Sequence, residues 1–169
     1  SKNQNKNKPI FIKISPDIKI CHLENVIKLV HKRKITGLII SNTTTERDLS
    51  IKSKYKNEIG GLSGRPLFRK STKILIEANK ISKKYNSNIF FVAAGGVEDS
   101  ISAYIKILSG AHLLQLYTSI AFKGPLIVNN ILNGLNELVK RDKLENLYQV
   151  RGIAHSFDEA KKIALHGLK

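Results

Sequence analysis

One stretch, residues 89–124 (IFFVAAGGVEDSISAYIKILSGAHLLQLYTSIAFKG), does most to limit what this chain can fold into. An apolar run over 89–94 ends in Gly95 and Gly96. A helix-spaced run follows over 99–108, Gly110 breaks it, and a second apolar run over 113–117 ends in Tyr-Thr. That is a β-α-β unit, and strands without a polar face belong to parallel sheets. In a barrel of such units, phosphate commonly sits at the loops after the last two strands, against a helix N-terminus. The glycine pair lets the backbone come close to a ligand.

The rest of the chain repeats the pattern. Residues 9–15 read as a strand closed by Pro16. Asp17 is placed to cap a helix over about 21–32, where Leu23, Val26, Ile27 and Val30 recur at helical spacing. A second strand covers 37–41. A helix over about 70–84 carries Ile74, Leu75, Ala78 and Ile81 on one face. Strands over 89–94 and 113–117 follow. Pro125 stands at the first position of a helix that Ile127, Ile131, Leu135 and Leu138 carry to about Arg141. A short segment around Tyr148 and a last helix over 157–166 end the chain. Residues 1–8 are polar and read as a disordered leader or the end of a loop, and 9–169 as one domain. Strands alternating with helices in this way predict an α/β fold of four parallel βα units, half of a (β/α)8 barrel. A flavodoxin-like open sheet is the alternative, but its phosphate loop usually follows the first strand. Half a barrel leaves strand edges and an apolar face open, so a partner segment is expected.

A length of 169 residues is enough for one core. No apolar run approaches the roughly 20 residues that span a bilayer, and no signal-peptide pattern appears at the start. The single cysteine, Cys21, excludes an internal disulfide. Methionine is absent even at position 1, which reads as a piece of a longer chain. The net charge of +16 invites a nucleic-acid partner. The lysines, however, are spread along the chain without clustered arginines or interleaved aromatics. They read as a solvated, compositionally biased surface, and no nucleic acid is expected as a partner.

Three places carry possible chemistry. Alternation puts Phe11, Lys13 and Ser15 on one face of the first strand. A lysine inside a barrel near a strand's carboxyl end reads as a ligand or catalytic group, whereas one facing outward is a snorkelling surface residue. Ser41, Asn42, Thr43 and Thr44 follow the second strand directly. Asn42 offers donors and an acceptor to an amide or imide edge, with loop capping as the alternative. Residues 42–69 form a long polar segment, functional or disordered. In it, Gly60, Gly61, Ser63 and Gly64 make either a backbone anion nest or a flexible turn. No catalytic triad, metal-spaced cluster or Walker motif is present. His22, His31, His112, His155 and His166 are scattered and read as structural or exposed.

Five segments in this order, FIKISPD (11–17), GLIISNTT (37–44), GGLSGRPL (60–67), AAGGV (93–97) and QLYTSIAFKGP (115–125), resemble the dihydroorotate dehydrogenases. The GGLSG-x-PL and QLYT forms resemble class 2, the membrane-associated, quinone-reducing branch. The resemblance covers about residues 9–141. It implies the C-terminal half of an FMN-binding TIM (β/α)8 barrel that oxidises dihydroorotate to orotate in pyrimidine biosynthesis, with ubiquinone as electron acceptor. By that resemblance Lys13 binds the flavin at its N1/C2 edge, and Ser41 contacts the ring system. Asn42 and Thr43 hold the pyrimidine. Gly64, Gly95, Gly96, Tyr117 and Thr118 cradle the ribityl phosphate. The family's proton-accepting serine and its quinone-tunnel helices lie in the N-terminal half, outside this chain. That half is the expected partner, and through it the membrane surface: mitochondrial inner membrane in a eukaryote, cytoplasmic membrane otherwise. The segment alone is expected to be inactive. Ser102 departs from the family's acidic residue, and the tail matches weakly. A tRNA-dihydrouridine synthase would use the basic charge but does not account for the 60–67 and 41–44 motifs. A non-catalytic phosphate-binding half barrel is the remaining alternative.

Overall fold

The computed structural model describes residues 8–47 and 51–168. Most of the 1–8 leader therefore lies outside the described residues. Four strands, β1 (Phe11–Ile14), β2 (Gly37–Ile40), β3 (Phe90–Ala94) and β4 (Leu113–Gln115), line up in chain order. Every neighbouring pair is parallel, and the register aligns Lys13 with Ile39, Ile39 with Val92, and Val92 with Leu113. Each strand is shorter than its apolar run: β1, β2 and β4 give up the last residues of the run to the following turn, and β3 starts one residue late, at Phe90.

The helices are α1 (Ile20–Lys32), α2 (Phe68–Lys84), α3 (Ser100–Leu108), α4 (Thr118–Lys123), α5 (Ile127–Arg141) and α6 (Phe157–His166). The pleat sends Ile14, Leu38, Ile40, Phe91 and Ala93 to one face, where they pack with Leu23, Ile27 and Val30 of α1 and Leu75 and Ala78 of α2. A second core joins α3 to α5 and α6 through Ala103, Leu108, Ile131, Leu135, Ala160 and Ala164. Alternation leaves Lys13, Ile39, Val92 and Leu113 on the opposite face, the interior side of a (β/α)8 barrel. Among the described residues no strand pairs with the outer edges of β1 and β4, and Ile12 and Leu113 remain exposed there. The fold is α/β: four parallel βα units open on both sides. Among the described residues no helix is long and apolar enough to cross a membrane.

Several local expectations meet a different outcome in the structure. Asp17 does not cap α1. Lys19 stands at that cap without a side-chain bond, and the Asp17 carboxylate is taken by Thr44, Thr45 and Lys70. Pro125 precedes the first residue of α5 by two positions and lies in its entry turn, where its carbonyl accepts from the Val128 amide at 3.3 Å. The chain reaches it through α4, which ends at Gly124 with φ 75°. Ser102 completes a capping box with Asp99. Its hydroxyl accepts from the amides of Glu98 and Asp99, both at 3.0 Å, while Asp99 accepts from the Ser102 amide at 2.7 Å. The long segment after β2 is folded back on itself. Thr44 and Leu62 bridge antiparallel, and the Arg47 guanidinium donates to the carbonyls of Thr45, Lys56, Glu58 and Gly60.

Leu75 is 0% exposed in the sheet–helix core, whereas Leu29 on α1 is 57% exposed. Leu75→Ala should cost about 2–5 kcal/mol and Leu29→Ala less than about 0.5 kcal/mol in urea unfolding followed by circular dichroism. Equal losses would place the core elsewhere.

Candidate functional site

The turns at the carboxyl ends of the strands enclose a cavity of about 670 Å³, within the range of small-molecule and cofactor sites. Lys13, Ser41, Asn42, Thr43, Gly64, Gly95, Gly96, Tyr117 and Thr118 all line it. Residues that the sequence separates by a hundred positions thus meet in one place.

The Ser41–Thr45 turn is held from three sides. Ser41 donates its amide to Ala94 at 3.3 Å, and Asn42 donates its amide to Ile14 at 2.8 Å. The Ser41 hydroxyl donates to the Asn42 carbonyl at 2.8 Å. Backbone bonds to β1 and β3 hold Asn42 at the cavity, and its side chain makes no hydrogen bond among the described residues. Farther along, Thr44 Oγ1 donates to Asp17 Oδ1 at 2.5 Å, and the Thr45 amide and hydroxyl donate to Asp17 Oδ2 at 2.9 and 3.1 Å. Lys70 joins Asp17 at 2.5 Å and Glu46 at 2.6 Å. Burial alone would raise the Asp17 carboxyl, but hydrogen bonds from Lys70, Thr44 and Thr45 hold it well below the usual carboxylate range. Burial opposes the Lys70 ammonium, and its bonds to Asp17 and Glu46 raise it above its ordinary value.

The other side of the cavity is glycine-built. Gly64, Gly95 and Gly96 have φ of 71°, 98° and 74°, the left-handed region. A Cβ on Gly96 would lie 2.5 Å from Phe68 Cβ and 2.9 Å from the Gly64 carbonyl oxygen. The turn after β3 is therefore pressed onto the start of α2, so protein packing already demands this glycine before any ligand does. The Thr118 hydroxyl donates to Ser63 Oγ at 3.0 Å and ties the turn after β4 to the same loop. Ser119, also lining the cavity, has a buried hydroxyl without a hydrogen-bond partner among the described residues. It is an unused donor of the kind an anionic oxygen satisfies. The four-residue nest does not assemble. The Gly60 carbonyl is occupied by Arg47, and a Cβ on Gly61 would meet Thr43 Oγ1, so both shape the loop, and only Ser63 and Gly64 reach the cavity.

Lys13 is exposed on the interior face and makes no salt bridge among the described residues. At the rim, Glu98 stands between Arg65 at 3.3 Å and Lys123 at 3.7 Å. Of the histidines only His112 is half-buried. Burial and the nearby Arg151 push it down to about 4, and its neutral Nδ1 accepts from the Phe91 amide at 3.0 Å. No group of three His, Cys, Asp or Glu among the described residues is placed to hold a metal ion. Sequence reasoning missed Ser119 and the role of Asp17. Asp17 follows Pro16 and precedes a helix, so local spacing reads as a cap, while its partners lie 27, 28 and 53 positions away.

The chain is similar to known proteins in both sequence and fold. The sequence profile described as dihydroorotate dehydrogenase matches residues 1–139. The protein named dihydroorotate dehydrogenase (quinone) from Bartonella tribocorum is 36% identical over 157 residues, 93% of this chain and 42% of that protein. The protein of the same name from Natronomonas pharaonis is 38% identical over 145 residues, 86% of this chain and 40% of that protein. The crystal structure of DHODH from Eimeria tenella in complex with ferulenol superposes with a TM-score of 0.81 at 32% identity, over 86% of this chain and 38% of that one. The chain thus spans about two fifths of the relatives it matches.

Asp17→Asn should lower stability at pH 7 by about 1–3 kcal/mol, as expected for charge-assisted hydrogen bonds that lose their anion. Because the folded carboxyl is depressed, its contribution is complete above about pH 4 and lost as the pH falls below that value. Urea unfolding from pH 7 to pH 2 should show the wild-type and Asp17→Asn midpoints converging on the acid side. A gap that does not depend on pH would contradict the ionised pairing.

Proposed function

The chain belongs to the dihydroorotate dehydrogenase family, and we propose that it supplies the flavin- and substrate-binding half of an FMN-dependent, quinone-reducing dihydroorotate dehydrogenase. The observation that carries this reading is the convergence on one cavity of all nine residues that the resemblance implicates. The cavity also fits the cofactor on its own terms. It has the volume for a flavin headgroup, three left-handed glycines that bring backbone to its wall, and the unsatisfied Ser119 hydroxyl on the phosphate side. When bound, FMN supplies the acceptor for hydride from C6 of dihydroorotate and passes the electrons on to a quinone.

The chain's own residues divide the work. Lys13 sets a fixed cation at the flavin's N1/C2 edge, where negative charge gathers on reduction, so its attraction grows along the reaction. Ser41 lies beside the ring system. Asn42 and Thr43 present an amide and a hydroxyl to the pyrimidine edge and fix its orientation. Gly64, Gly95, Gly96, Tyr117 and Thr118 hold the phosphate. The N-terminal half of the same protein completes the barrel on the open edges of β1 and β4, brings the proton-accepting serine, and carries contact with the membrane surface, mitochondrial in a eukaryote. Alone, this half is inactive. The basic surface takes no part in nucleic-acid binding, and neither the dihydrouridine-synthase nor the non-catalytic reading is favoured by relatives named for quinone-dependent dihydroorotate oxidation.

In the full-length protein, Lys13→Ala should slow flavin reduction by dihydroorotate on the order of 10²–10³-fold, the range for removing a preorganised electrostatic donor. Asn42→Ala should weaken orotate binding by about 1–3 kcal/mol. Stopped-flow reduction and orotate titration of the flavin spectrum measure both. Wild-type rates in the first and unchanged affinity in the second would remove these residues from the site.

A further inference from the structure

Lys106 has a placement that the flavin and substrate contacts do not use. It lies on α3, is 0% exposed, and pairs with no carboxylate among the described residues. Its Nζ donates to Ser71 Oγ at 2.6 Å and lies 5.2 Å from the centre of the Phe68 ring. Fully buried lysines are rare without a counter-charge. Burial, the sole cause, pushes this amine well below its ordinary value. Two charged groups on the surrounding elements are engaged elsewhere. Arg69 of α2 faces Phe157 and Asp158, and Asp142 at the end of α5 is held by Tyr104 and Arg141.

Ser71 links this amine to the candidate site. Its hydroxyl lies 3.1 Å from the Phe68 carbonyl and 3.3 Å from the Gly95 carbonyl. Phe68 is also the residue onto which Gly96 is pressed. The chain of contacts therefore runs from Lys106 through Ser71 to the glycine turn that lines the cavity.

We propose that Lys106 is a positioning residue for the phosphate end of the flavin site, holding the Gly95–Gly96 turn through Ser71 and placing behind it a buried cation that a phosphate dianion complements. The proposal rests on the flavin reading above. Among the described residues this amine has no counter-ion, so an anion in the turn and a proton on Lys106 favour each other. In a low-dielectric surrounding that attraction is only weakly screened. A ligand ending in a neutral hydroxyl gains nothing from it. Lys106 thus distinguishes a phosphorylated flavin from an unphosphorylated one, a difference that a purely structural role would not create.

The test is titration of the full-length apoprotein with FMN and, separately, riboflavin, followed by flavin fluorescence. Lys106→Met keeps the length and apolar stem but removes the charge. It should weaken FMN binding by about tenfold or more and leave riboflavin within about twofold, as expected for loss of a charge-assisted contact to the phosphate alone. Ser71→Ala keeps the amine and breaks the link, and should give a smaller loss that is again confined to FMN. Equal losses for both ligands, or no loss of FMN affinity, would overturn the proposal. If Lys106→Met does not fold, the FMN-to-riboflavin ratio of Ser71→Ala decides by the same criterion. Wild-type protein that binds neither ligand would overturn the flavin reading itself, and this proposal with it.

Discussion

The close approach between the Gly95–Gly96 turn and the first residues of α2 is the contact on which the rest of the site depends. Residues with a Cβ cannot make it, because at Gly96 the new carbon would fall 2.5 Å from Phe68 Cβ. Once it is made, the loop ending at Gly64 lies beside the turn after β3, and the Thr118–Ser63 hydroxyl bond brings in the turn after β4. Three turns from three βα units are thereby fixed to one another, and their common wall is the cavity. The same packing explains why α2 begins in the tight turn Arg65–Leu67, since the chain must bend sharply to pass under the glycines.

A second anchor, the Asp17 carboxylate, does for the turn after β2 what the glycines do for the turn after β3. It collects Thr44, Thr45 and Lys70 and holds the turn that presents Asn42 and Thr43. The two anchors differ in kind. One is steric and insensitive to solution conditions, and the other is electrostatic and tied to the ionised state of one carboxyl. Between them, Lys13 lies on the open interior face of β1, positioned by strand register alone.

Much of this was legible in the sequence because it is periodic. The four apolar runs and the helical spacing of Leu23, Ile27 and Val30 are local patterns, and the strands and α1 appear where those patterns put them. Most of the motif residues that line the cavity follow a strand end: Ser41, Asn42 and Thr43 follow β2, Gly95 and Gly96 follow β3, and Tyr117 and Thr118 follow β4. What failed did so through distant contacts. Asp17 looked like a cap because nothing nearby announces Thr44 and Lys70. Gly60 and Gly61 looked like an anion nest, yet Arg47 and Thr43 claim them. Ser102, a departure from the pattern that the resemblance implies, caps the helix start through its neighbour Asp99. Lys106 sits in a helix whose buried positions are mostly apolar, and its burial emerges only once Ser71 and Phe68 of α2 lie against it.

The central claim is that the nine residues form one flavin site in the complete protein, and its most direct test is a crystal structure of that protein grown with FMN and orotate. The account predicts FMN density in this cavity, with the phosphate among Gly64, Gly95, Gly96, Tyr117 and Thr118, the ring edge at Lys13, and orotate against Asn42. Flavin bound elsewhere, or a protein that crystallises without flavin at saturating FMN, would contradict it.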